Sequence, residues 1–235
     1  MAVVIPALNE EASIGLVLAD IPQGLVDVVV VVDNGSTDRT AEVAAEAGAL
    51  LVREDRRGYG FACLAGIAAA REAGATVLVF LDGDYSDYPE QLDQVVGPIL
   101  DGQVDFVVGS RMRGRRSRGA LLPQARFGNW LAGFLLKAGW GAEFTDLGPF
   151  RAVRLAALDR LRMQDETYGW TVEMQIKAVE AGLRYTEVPV DYRARIGESK
   201  ITGTVRGTVL ASYRILQLLA GYWMTRGSRE YPAEA

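Results

Sequence analysis

Histidine is absent from the 235 residues, and cysteine occurs once, at Cys63. The first absence removes the Ser-His-Asp triad, histidine-ligated metal centres and the commonest general base. Chemistry in this chain must run on carboxylates, guanidiniums, backbone groups and hard metal ions. The second absence excludes an intrachain disulfide and makes a reducing, cytoplasmic setting the expectation. Lysine is scarce, 3 against 22 arginines, so the planar guanidinium is the cation available for phosphate recognition. Also missing is an uncharged run of about 18 residues, the minimum for a bilayer span. The longest apolar tract, 204–224, is interrupted by Arg206 and Arg214. Residues 1–6 hold no basic segment, so no signal peptide is expected.

The remaining composition, 49% hydrophobic and 23% charged with 26 glycines, fits one globular α/β domain. We expect it to fill 1–226, with 227–235 a disordered tail. A formal net charge of -5 argues against nucleic-acid binding, so any anion site must be local. Apolar runs at 3–6, 26–32, 50–52, 77–81 and 105–109 read as strands; 10–19, 40–47, 62–73 and a segment opening near Pro89 read as helices. That alternation implies a doubly wound, mostly parallel sheet flanked by helices, whose ligands sit at the carboxyl ends of the strands.

The segments following those strands are acidic. They are Ala7-Leu8-Asn9-Glu10, Asp33-Asn34-Gly35-Ser36 and Asp82-Gly83-Asp84. No dinucleotide fingerprint or P-loop is present. Two carboxylates spaced i, i+2 around a glycine suit a divalent cation of the Mg²⁺ or Mn²⁺ class, or alternatively cap the turn toward Pro89. Gly58-Tyr59-Gly60 reads as a loop with close backbone approach. Arg111, Arg113, Arg115, Arg116 and Arg118 form a basic cluster, suited to a phosphate or lipid headgroup or else to a solvated loop. Phe127, Trp130, Leu131, Phe134, Leu135 and Ala138 recur on one helical face, which faces either core or membrane. The same choice holds for an amphipathic C-terminal helix carrying Ile215, Leu218 and Trp223.

The ordered motifs resemble those of family 2 glycosyltransferases with the GT-A fold. They are Val4 to Glu11, Val32 to Asp38, Gly58-Tyr59-Gly60, Asp82-Gly83-Asp84, Val108-Gly109-Ser110-Arg111, Thr145 to Arg151, Tyr168 to Met174, Glu187 to Val190 and Arg195-Ile196-Gly197-Glu198-Ser199-Lys200. Polyprenyl-phosphate and dolichyl-phosphate mannosyl and glucosyl transferases are the nearest resemblance, over residues 3 to about 205. It implies a nucleotide-binding part (1–110) and an acceptor-binding part (111–226). Pro6, Ala7, Leu8, Glu10, Asp33, Asn34, Gly35, Gly58, Asp82 and Gly83 would meet a UDP- or GDP-hexose, and Asp82 and Asp84 the metal. Asp33 could equally cap its turn. Arg111, Arg151, Arg193, Arg195, Ser199 and Lys200 would meet an acceptor phosphate. The catalytic set would be Asp84 and Arg111, with Glu173 and then Asp146 as the bases a hydroxyl acceptor would need; otherwise these two are a helix-surface residue and a turn cap. The implied reaction is metal-dependent, inverting transfer to a polyprenyl phosphate at the cytoplasmic membrane surface. The alternatives are a soluble or glycan hydroxyl acceptor, or a nucleotide-sugar-binding module without turnover.

Overall fold

The computed structural model describes residues 1–197 and 205–232. Seven strands form one sheet in the order β3-β2-β1-β4-β6-β5-β7. They are β1 (Ala2–Ala7), β2 (Val28–Asp33), β3 (Leu50–Arg53), β4 (Val77–Phe80), β5 (Phe106–Ser110), β6 (Arg151–Arg154) and β7 (Tyr185–Pro189). Every pairing is parallel except the two made by β6, which lies antiparallel between β4 and β5. The mostly parallel sheet is as expected. The inserted β6 and the final β7 are additions to the strands legible in the sequence.

The helices are α1 (Ile14–Asp20), α2 (Thr40–Glu46), α3 (Tyr59–Glu72), α4 (Leu92–Leu100), α5 (Pro123–Trp140), α6 (Leu155–Leu161), α7 (Trp170–Glu180) and α8 (Val205–Met224). Successive side chains of β1 alternate between the two sheet faces. Ala2 and Val4 join the cluster that packs under α3, α7 and α8, while Val3, Ile5 and Ala7 join the one under α1 and α4. Both faces are thereby covered, and only the strand ends remain for chemistry. Among the described residues no helix is long and apolar enough to cross a membrane.

The local signals are ordinary ones. Pro123 opens α5, and Gly141, at φ +70°, closes it by donating its N–H to the Lys137 carbonyl. Near the end of the described residues, the Tyr231 hydroxyl donates to Glu180 at 2.8 Å.

Candidate active site

Strand register gathers the candidate residues on one edge. Ala7 at the end of β1 lies opposite Asp33 at the end of β2. Because β6 is antiparallel, its first residue, Arg151, sits opposite Phe80 at the end of β4 and Val108 near the end of β5. The 145–150 loop therefore enters the edge that carries Asp82-Gly83-Asp84 and Arg111. Ser110 pairs with Pro189, and from there residues 190–197 cross in front.

At the ends of β1 and β2, Pro6, Leu8 and Glu10 are half-buried beside Ala7, whose carbonyl accepts the Asn34 N–H. Asp33 is buried; its Oδ1 accepts the Ser36 N–H at 2.9 Å and closes a turn through Gly35, at φ +85°. Asn34 is otherwise engaged. Its amide donates to the carbonyls of Glu54 and Arg56, and its Oδ1 accepts the Gly58 N–H, so it staples the loop after β3 to β2. The close approach expected at Gly58-Tyr59-Gly60 is made to the protein's own backbone. A Cβ on Gly58 would lie 2.2 Å from the Glu166 carbonyl oxygen, and one on Gly60 2.0 Å from that of Asp165.

The acidic turn is crowded. Asp84 is buried; its Oδ1 accepts from the Ser86 N–H and hydroxyl, and its Oδ2 pairs with Arg195 at 2.8 Å. Asp82 accepts from the Tyr59 hydroxyl at 3.3 Å, and burial next to the Asp84 carboxylate pushes its carboxyl up to about 7. Asp87, which the sequence reading passed over, is buried with neither oxygen hydrogen-bonded. Desolvation, aided by the Asp82 charge, raises its carboxyl well above the usual range. A third acidic residue just before Pro89 was the available signal. Tyr85 adopts a left-handed conformation, at φ +63°, which costs about 1–3 kcal/mol and is held by its surroundings. Its hydroxyl donates to Asp20 at 2.7 Å, and its ring lies 3.3 Å from the Arg193 guanidinium carbon.

These carboxylates fit a hard divalent cation. Among the described residues no three His, Cys, Asp or Glu side chains are set to hold a metal together. The protein thus offers one or two carboxylates, the pattern of Mg²⁺ and Mn²⁺ sites completed by substrate phosphates. Asp87 adds a buried carboxyl whose two oxygens have no hydrogen-bond donor, a group that burial alone leaves unsatisfied.

Several nominated residues turn out to be held by the fold. The Asp146 side chain is fully buried; it accepts from the Arg111 backbone N–H, Nε and Nη2 at 2.8, 2.8 and 2.6 Å and from Asn129 at 2.7 Å. It is the clamp of Arg111, whose guanidinium carbon lies 5.0 Å over the Tyr192 ring and whose Nη1 stays outside the clamp. Asn129 belongs to this clamp and was not foreseen. Glu173 is neither exposed nor at the acidic turn. It accepts the backbone N–H groups of Gln164 and Asp165 and the Tyr222 hydroxyl, and pairs with Lys177 at 2.8 Å. Arg151 is fully buried, donates to the carbonyls of Leu147, Gly148 and Thr171, and is pushed down to about 10 by desolvation. Arg193 is held by the Tyr85 and Asp87 carbonyls and by the faces of Tyr85 and Tyr88. Ser199 and Lys200 lie outside the described residues.

The arginine cluster divides. Arg113 and Arg116 bind the carbonyls of Glu187 and Arg111, whereas the Arg115 and Arg118 side chains are exposed. On α5 the buried stripe is Asn129, Ala132, Leu136 and Gly139. Phe127, Trp130 and Phe134 lie outside, 60%, 60% and 58% exposed, with Trp130 stacked on Phe134. Val209, Leu210, Tyr213 and Leu216 of the neighbouring α8 are exposed as well.

Fold and edge together define the class, an α/β protein whose sheet edge gathers buried carboxylates and guanidiniums. Residues 2–162 match the model of Glycosyl transferase family 2, and the chain belongs to that family. It is 38% identical over 213 residues, 90% of this chain and 94% of the relative, to an uncharacterized glycosyltransferase of Mycobacterium tuberculosis. It is 31% identical over 224 residues to the undecaprenyl-phosphate mannosyltransferase of Micrococcus luteus, covering 89% and 90% of the two chains. Among solved structures, glucosyl-3-phosphoglycerate synthase from M. tuberculosis, in complex with Mn²⁺, UDP and glucosyl-3-phosphoglycerate, superimposes with a TM-score of 0.73 at 26% identity. That match covers 94% of this chain and 78% of the other.

Proposed function

We propose that this glycosyltransferase carries out metal-dependent, inverting transfer of a hexose from a UDP- or GDP-sugar to a polyprenyl phosphate, at the cytoplasmic face of a membrane. One observation carries the choice of acceptor. Both carboxylates nominated as general base, Asp146 and Glu173, already have their oxygens filled by Arg111 and Asn129 or by Gln164, Asp165, Tyr222 and Lys177. An acceptor that arrives ionised needs no such base. A phosphate monoester has its second pKa near 6 and is largely dianionic at neutral pH. One of its oxygens would form the new bond to the anomeric carbon as the bond from that carbon to the nucleoside diphosphate breaks. Arg111, pre-aimed by Asp146, offers its remaining N–H groups to phosphate charge. Asp33 and the β1 end would receive the nucleoside. Asp84, with Asp82, would hold Mg²⁺ or Mn²⁺, which neutralises charge on a departing diphosphate.

The M. luteus relative supports a lipid-phosphate acceptor, and the exposed aromatics of α5, with the exposed Arg115 and Arg118 in the segment that precedes the helix, support contact with an anionic bilayer. The likeness to glucosyl-3-phosphoglycerate synthase favours a second reading, a small soluble acceptor. The deciding assay supplies Mn²⁺ and UDP- or GDP-hexoses and compares polyprenyl phosphate, its dephosphorylated alcohol and phosphoglyceric acid by nucleoside diphosphate release. Release with the lipid phosphate alone is expected. Equal release with the alcohol, or release with phosphoglyceric acid only, would replace this reading.

A further inference from the structure

We propose that Arg195 is the resident counter-cation of Asp84, and that a divalent metal must displace it in order to load, which frees the Arg195 guanidinium for a substrate anion. The inference rests on the metal reading above.

Both oxygens of Asp84 are filled, but unequally. Oδ1 is held by Ser86, two residues along the same turn. Oδ2 is held, among the described residues, from a distant segment by Arg195 Nη2 at 2.8 Å. That segment is delivered in register. The Ile196 N–H donates to the Asp84 carbonyl, the Arg193 N–H donates to the Ser86 carbonyl, both at 2.9 Å, and Tyr192 forms an antiparallel bridge with Asp87. The side chain of Arg195 is 28% exposed and that of Asp84 4%, so the guanidinium covers the solvent side of the carboxylate. The guanidinium fills one lone-pair site of Oδ2 and repels a second cation at that range, so its ion pair opposes metal loading at the same oxygen. Backbone ties hold Arg195 at the strand edge after release. Metal loading and anion binding then become one linked exchange.

The test is Mn²⁺ binding to nucleotide-free protein, read from the free-ion electron paramagnetic resonance signal, with no turnover required. Arg195→Gln leaves Asp84 buried without its cation and should bind Mn²⁺ about tenfold more tightly than the wild type. Arg195→Lys, which keeps charge but loses the fork, should fall between them and carries the test if the glutamine variant does not fold. Asp84→Asn should abolish binding, and the gain from Arg195→Gln should vanish in the double variant. Unchanged or weaker binding in both Arg195 variants, with Asp84→Asn still abolishing it, would overturn the exchange alone. Equal binding by wild type and Asp84→Asn would overturn the metal reading and this inference together.

Discussion

Glu173 and Asp146 bear the same functional group as Asp82 and Asp84, and only their surroundings separate the roles. Asp146 meets Arg111, 35 positions away, and Glu173 meets Tyr222, 49 positions away. Sequence motifs could nominate these carboxylates but not show which oxygens distant partners had already filled. The tyrosine faces that hold Arg193 were hidden for the same reason, since they come together only in the fold. Breaking the buried Glu173–Lys177 pair should cost about 3 kcal/mol in Glu173→Gln. Activity per folded molecule should stay within about tenfold of wild type, where loss of a general base would cost up to about 10,000-fold. Calorimetry and turnover of the same preparation separate the two. Gly60 makes a purely steric prediction. Gly60→Ala drives a methyl against the Asp165 carbonyl and should cost about 1–3 kcal/mol, or roughly 2–12 °C in Tm.

On α5 the apolar periodicity was legible, and the environment of each residue was not. Hydrophobic spacing marks a face without saying what covers it, and the structure buries the smaller stripe through Asn129 and Ala132 while leaving Phe127, Trp130 and Phe134 outside. Replacing these three by Ser should remove cosedimentation with anionic vesicles while changing stability little, since exposed sites usually move it by less than about 0.5 kcal/mol each. Undiminished vesicle binding would remove α5 from the membrane face. Strand β6 escaped the sequence reading because its four residues, Arg-Ala-Val-Arg, end in charges and pair only with distant strands. Just before β5, Asp105 is held by Arg184 at 2.8 Å, and that hydrogen bond keeps its carboxyl below the usual range. The folded value is the depressed one. Its stabilisation is therefore complete above the unfolded carboxylate pKa of about 3.9 and lost as pH falls through the lower folded value. Urea midpoints of Asp105→Asn should be lower than wild type at neutral pH and converge with it toward pH 2.

The whole chain reads as an acidic protein, at a net charge of -5, that concentrates guanidiniums at one sheet edge. Five strands, their parallel sense and the acidic edge could be inferred from apolar runs and turn residues, because those signals are local. What remained hidden was tertiary. The antiparallel β6 carries the 145–150 loop, and with it the Arg111 clamp, into the site. Residues 190–197 bring Arg195 onto Asp84. In the proposed reaction the acceptor supplies its own negative charge. The pH dependence of kcat/KM for polyprenyl phosphate in wild type, Asp146→Asn and Glu173→Gln tests it most directly. An acid limb near pH 6, set by the acceptor's second ionisation and present in all three proteins, is the predicted result. Loss of that limb in either variant, with turnover down by more than about 1,000-fold and donor binding intact, would contradict it.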